Sequence, residues 1–238
     1  MNLVAVTFDV THTLVACPRL GEIYAEVLAR HGVVASPGAV RSAIPVVWQE
    51  LACTASPAAD RFATHSEGAR GFWRRFVERV CEHLGSPPPS RFAAAELYDR
   101  FARADAWEVF ADVRPALAEL RRRGLRLGVV SNWDERLPLL LERLELASFF
   151  DAIAVSALVG VEKPHPRMFS AALAELGVGK AEWALHVGDS RREDVEGAEG
   201  VGMRALHLVR GGRAGDLASL AELPAALDRI DGPGGLDS

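Results

Sequence analysis

Lysine is almost absent from this chain: of 27 basic residues only Lys163 and Lys180 are lysine, and the rest are arginine. Wherever a generic positive charge suffices the chain writes arginine, so a retained lysine marks a place to look for a compact ammonium. Cysteine is scarce as well. Cys17, Cys53 and Cys81 are too few and too scattered for a disulfide framework or a zinc site, which predicts bland thiols in a reducing, cytoplasmic setting. There is no excess of positive charge: the net charge is -5 and the pI near 5.8, which argues against nucleic acid or an anionic membrane as the main partner. A small anion can still be drawn in by a local site. Long hydrophobic runs and internal repeats are missing too. The N-terminal apolar stretch lacks a basic flank and is broken at Asp9, so neither a signal peptide nor a membrane span is expected.

What is present is a chain of 238 residues, 49% hydrophobic, long enough for one large domain or a core with an insertion. Short β-branched runs at 3–8, 125–130, 152–156, 183–188 and 204–209 read as buried strands. Helical patterns separate the last four, over 134–146, 166–177 and 192–202. Another, between Pro115 and Gly124, precedes them. Strands alternating with helices predict a parallel α/β sheet of Rossmann-like type covered on both faces, with ligands beyond the carboxyl ends of the strands.

Residues 17–108 break the alternation. Ile23, Tyr24, Val27 and Leu28 form one helical face, and Phe72, Phe76, Val80 and Leu84 another. A third helix follows Ser90 as N-cap, and a fourth, over 38–52, carries an awkward Pro45. We therefore expect an all-helical cap over 17–108, a Rossmann-like core from 1–16 and 109–230, and a disordered tail over 231–238. The aromatic residues of the cap are expected in its core. The polar stretch 56–71 reads as a flexible loop able to touch a substrate, through residues such as Arg61, His65 and Arg70.

Chemistry gathers at the strand ends. The first strand delivers Asp9, then Thr11 and Thr13; the second, Ser131 and Asn132; the fourth, Asp189, Ser190 and Asp194. Lys163 follows the third. Several carboxylates in one place need a cation, and hard divalent ions such as Mg²⁺ prefer oxygen ligands. Asp9, already ionised at neutral pH, can attack phosphorus directly. Lys163 and the Ser131 hydroxyl can then hold the charge on the transferring oxygens. Asp194 taken alone reads equally well as a helix-capping acid.

The stretches "FDVTHTL", "VVSN", "EKPHPRMF" and "HVGDSRREDVEGAEGVGM", in that order, resemble the four motifs of the haloacid dehalogenase-like hydrolase superfamily, helical-cap class, and are closest to its domain-containing protein 3 subgroup. The resemblance implies a nucleophile at Asp9, a phosphate-binding hydroxyl at Ser131 and the catalytic ammonium at Lys163. It implies Mg²⁺ on Asp9, Asp189 and the Thr11 carbonyl, with Asp194 nearby or joined through water. Thr11, His12 and Asn132 fall at substrate-binding positions.

One position departs from the pattern. Phosphatases of the superfamily read D-x-D-x-T, and their second aspartate protonates the leaving oxygen, a step worth roughly 10²–10⁴-fold; here Thr11 stands in its place. P-type ATPases of the superfamily share that threonine and still form an aspartyl-phosphate. The expectation is a Mg²⁺-dependent hydrolase of small phosphorylated metabolites, slow or selective, with His12 a substitute acid/base candidate. Alternatives are a non-enzymatic phosphate and metal binder and, with less support, a 2-haloacid dehalogenase.

Overall fold

The N-terminal apolar run forms strand β1 (Ala5–Phe8), buried along its whole length as a strand flanked on both sides must be. The structure, a computed structural model, describes residues 3–54, 59–63, 65–212 and 214–231. After β1 the chain crosses into the helical region through β2 (Val15–Ala16) and returns through β3 (Glu108–Val109), and these two short strands pair antiparallel. The sequence reading does not anticipate this pair. It ties the outgoing and returning chains together where the cap meets the sheet.

Between them lie α1 (Leu20–Arg30), α2 (Pro37–Thr54), α3 (Gly68–His83) and α4 (Arg91–Arg100). Their apolar faces form a cluster of their own around Ile23, Val27, Leu28, Val47, Phe76 and Leu97. The Ser90 hydroxyl accepts the Ala93 N–H at 3.3 Å, the expected cap of α4. Helix α2 runs straight through Pro45, whose exposed position leaves the orphaned carbonyl one turn back accessible to water.

The returning chain builds α5 (Val113–Arg122), β4 (Arg126–Ser131), α6 (Leu137–Arg143), β5 (Ala152–Val155), α7 (Ser156–Val159) and α8 (Pro166–Glu175), then β6 (Ala184–Gly188), α9 (Gly197–Glu199), β7 (Arg204–His207) and α10 (Leu223–Asp231). The five long strands form a parallel sheet in the order β5-β4-β1-β6-β7. Helices α5, α6 and α10 pack on one face, against Val6, Phe8, Leu127, Val129 and Val187. Helices α8 and α9 cover the other, over Ala5, Val130, Ala152 and Ala154. The sequence reading assigns no helix to α10; the predicted tail over 231–238 lies outside the described residues apart from Asp231 at the end of this helix.

The chain leaves β1 for β4 and β5 on one side and comes back for β6 and β7 on the other, so the sheet switches direction between β1 and β6. Loops leaving those two strands diverge, and a crevice opens there. Among the described residues no helix is long and apolar enough to cross a membrane. Cys17 and Cys81 are free thiols, each pushed up to about 11 by burial, which makes them inert at neutral pH.

Candidate active site

Asp9 leaves the end of β1 with its N–H donating to the Val187 carbonyl (3.0 Å), which sets it at the lip of the crevice. The next residues make a tight turn. The Leu14 and Val15 N–H groups both donate to the Val10 carbonyl, at 2.8 and 3.0 Å, and His12 adopts a left-handed φ of 63°. Arg210, from the segment after β7, holds the turn: its guanidinium donates to the His12 and Thr13 carbonyls (3.2 and 2.5 Å) and to Asp112 (2.9 Å).

Three segments close on Asp9. The Ser131 hydroxyl donates to Asp9 Oδ1 at 3.2 Å. Lys163 Nζ donates to the same oxygen at 2.7 Å and to Asp194 Oδ1 at 2.5 Å. Asp194 also accepts the Ser190 N–H on Oδ2 (2.9 Å), a contact at the start of the following helical turn. Asn132 lines the cavity, but its amide is engaged elsewhere: Oδ1 accepts the Lys163 N–H (2.6 Å), while Nδ2 donates to the Lys163 carbonyl and Glu193 (3.1 Å each). In this structure it holds the Lys163 backbone from both its N–H and its carbonyl.

The electrostatics follow from burial and charge count. Asp9, Asp189 and Asp194 each bring a carboxylate oxygen within 4.8 Å of the others, and one ammonium stands against them. Burial would strip Lys163 of its proton, but Asp9 and Asp194 outweigh that and hold it well above the usual lysine range. Burial would raise Asp194 too; the Lys163 ammonium and His186 hold it low instead. Asp9 is raised, chiefly by burial against the pull of Lys163. Asp189 is pushed up to about 7 by burial and by the charges of Asp9 and Asp194. Among the described residues only its own backbone N–H bonds to its carboxylate. A cluster with surplus buried negative charge and a carboxylate that no side chain pairs fits a hard divalent cation.

Over this floor lies a cavity of about 440 Å³, roofed by aromatic side chains that include Trp48, Phe62, Trp73, Tyr98 and Trp107. Some of these also belong to the cap's apolar cluster, so packing and cavity lining are the same residues. The stretch expected as a flexible loop is a correction. Residues 55–58 and 64 lie outside the described residues, and α3 already begins at Gly68. The rest is pinned: Asp60 Oδ1 accepts the Phe62 and Ala63 N–H groups (2.9 Å each), and Arg61 grips Glu162 with Nε and Nη2 (2.7 and 2.5 Å). Arg61 lines the cavity. Arg70 faces solvent beside Asp99, and His65 turns toward the Glu67 backbone.

Residues 3–202 match the family model described as haloacid dehalogenase-like hydrolase. The chain belongs to this family. It is 34% identical over 244 residues to haloacid dehalogenase-like hydrolase domain-containing protein 3 of Mus musculus, covering 94% of each chain. It is 36% identical to a phosphoserine phosphatase of Thermus thermophilus over 148 residues, 61% of this chain and 57% of the relative. The crystal structure of a HAD phosphatase from Thermococcus onnurineus superposes with a TM-score of 0.64 at 25% identity, covering 95% of this chain and 98% of the other.

Within this family fold, the structure brings together Asp9, Ser131, Lys163, Asp189 and Asp194, and Thr11 and His12 line the same cavity. Three groups have a positioning role that the sequence reading does not give. Arg210 is one. His186, fully buried on β6, is another: its Nε2 lies 3.1 Å from Asp194 and its Nδ1 2.9 Å from the Thr7 hydroxyl. Because a carboxylate can only accept, Nε2 carries the proton toward Asp194. Gly188 is the third, since a Cβ there would lie 2.2 Å from Asp194 Cγ. Only the glycine in "HVGD" could have been a signal.

Proposed function

We propose that this hydrolase cleaves small phosphate monoesters with the help of Mg²⁺, through an aspartyl-phosphate on Asp9. The observation that carries the reading is the single oxygen, Asp9 Oδ1, met by both the Lys163 ammonium at 2.7 Å and the Ser131 hydroxyl at 3.2 Å. Those two donors are where the oxygens of a phosphoryl group bound against Asp9 would find partners. Asp9, Asp189 and the Thr11 carbonyl, with Asp194 nearby, would hold Mg²⁺, which would supply positive charge to phosphate oxygens. Residues 1–16 and 109–230 act as the catalytic core and 17–108 as the cap that shuts over the substrate.

Asp9 needs no base, so attack on phosphorus requires only that the ester be held in line. Lys163 and Ser131 stabilise the oxygens as charge shifts toward the leaving group. Thr11 cannot give that group a proton at neutral pH, which restricts fast turnover to esters whose oxygen departs unaided. The acidic pair Asp189 and Asp194 weighs against carbon–halogen cleavage, which has no need of a cation site. The absence of lysine from the cap disposes of Schiff-base chemistry there. The free thiols suit a reducing compartment.

The test is hydrolysis of an aryl phosphate with Mg²⁺, with chelator, and in Asp9→Asn. Activity is expected only in the first. Activity persisting in Asp9→Asn sinks the nucleophile assignment, whereas tight beryllofluoride binding without turnover favours the non-enzymatic reading raised by Thr11.

A further inference from the structure

We propose that the site is built for a leaving group that is an apolar aromatic ring, making aryl phosphate monoesters its substrate class; this rests on the phosphatase reading above and specifies what lies beyond the ester oxygen.

The cavity has two chemistries. Its floor carries carboxylates, Lys163 and hydroxyls. Its roof, among the described residues from α1–α4 and the segments joining them, includes no carboxylate, carboxamide, aliphatic hydroxyl or imidazole. The one charged roof residue, Arg61, grips Glu162 through two nitrogens and stacks on Trp48 at 4.3 Å. Most other polar atoms around the ring-lined space are engaged. Trp73 Nε1 donates to Asp134 (2.7 Å), the Tyr98 hydroxyl to Glu135 (2.7 Å), and Trp107 Nε1 to the Phe101 carbonyl (3.0 Å). Among the described residues, the donors that remain, on Tyr24, Trp48 and Trp133, are single and ring-borne.

A polyol phosphate brings several hydroxyls, and a phosphoamino acid an ammonium and a carboxylate. Each loses water on entry and needs a partner, or the binding free energy suffers. This roof has none for an ammonium and too few for a polyol. It offers ring faces and edges instead: Trp48, Phe62 and Trp73, packed on one another, line the space together with Tyr98 and Trp107. Flat aromatic guests pack against such faces, and a cavity of about 440 Å³ holds a one- or two-ring group.

Position 11 points the same way independently. An Asp9 oxygen bonds to phosphorus as the ester P–O bond breaks, and the electron pair leaves on the ring oxygen. A phenolate, whose acid has a pKa of about 10, departs without a proton and later takes one from solvent. An alkoxide, closer in basicity to hydroxide from water at roughly 15.7, needs the acid that Thr11 cannot be. Water then attacks phosphorus, the bond to Asp9 breaks with its pair returning to the carboxylate, and the proton from water passes to solvent. The sum is ester plus water giving phenol plus inorganic phosphate.

The experiment uses the full chain with Mg²⁺ and compares kcat/KM for acetyl phosphate, 2-naphthyl phosphate, phosphoserine and glycerol 3-phosphate. It adds inhibition of acetyl phosphate hydrolysis by benzylphosphonate and by methylphosphonate, which reads ring binding without leaving-group chemistry. We expect 2-naphthyl phosphate to exceed phosphoserine and glycerol 3-phosphate by at least about a hundredfold, and benzylphosphonate to inhibit at least about tenfold more tightly than methylphosphonate. Acetyl phosphate hydrolysis with no preference for naphthyl, or with equal inhibition by the two phosphonates, overturns the ring proposal and leaves the phosphatase reading standing. Hydrolysis of none of the four overturns both.

Discussion

Thr11 and Asp189 carry the sharpest consequences at the scale of single residues. Thr11 lines the cavity two residues after Asp9, where an aspartate could reach an ester oxygen. Thr11→Asp should therefore raise kcat on alkyl phosphates by roughly tenfold or more, within the range of general acid catalysis, and change aryl phosphates much less. An unchanged alkyl rate in a folded variant contradicts the account.

Asp189 gives a test that needs no turnover. Its carboxyl moves from an ordinary 3.8 to about 7 on folding. A group that binds its proton more tightly when folded lowers stability as pH rises from its unfolded value through its folded one. Mg²⁺ bound by Asp189 would displace that proton and remove the penalty. The gain in melting temperature on adding Mg²⁺ should grow from about pH 5 to about pH 7 and then level off. A gain that is flat or shrinks over that range speaks against Asp189 as a ligand.

At the scale of elements, the strand ends were legible in the sequence because period and turn chemistry are local. The runs of β1, β4 and β6 stop where Asp9, Ser131 and Asp189 stand, the positions read from the sequence. The groups that hold those residues were not legible, because they meet only in the fold. Arg210 reaches carbonyls almost two hundred positions earlier, His186 works through its packing between Thr7 and Asp194, and Asn132 serves Lys163. The two-residue strands β2 and β3 were invisible for a related reason: a pairing so short has no period to detect. Helix α2, read over 38–52 with Pro45 inside it, runs over Pro37–Thr54 and tolerates the proline on a face open to solvent.

For the molecule as a whole, the cap changes what the core chemistry can be used for. The sequence placed the cap's aromatic residues in a helical core, and many are there, but where the cap meets the sheet they also become the ceiling of the reaction site. Polar bridges join cap to core around that ceiling: Arg61 to Glu162, Trp73 to Asp134 and Tyr98 to Glu135. They hold the rings over the cavity that Asp9 lines.

The central claim is that Asp9 becomes phosphorylated. The most direct measurement is the intact mass of the protein after brief exposure to acetyl phosphate and Mg²⁺, quenched in acid to preserve an acyl phosphate. The account predicts one added phosphoryl group on the wild-type chain, lost on treatment with hydroxylamine and absent from Asp9→Asn. Hydrolysis of the substrate with no adduct, or an adduct that persists in Asp9→Asn, would contradict it.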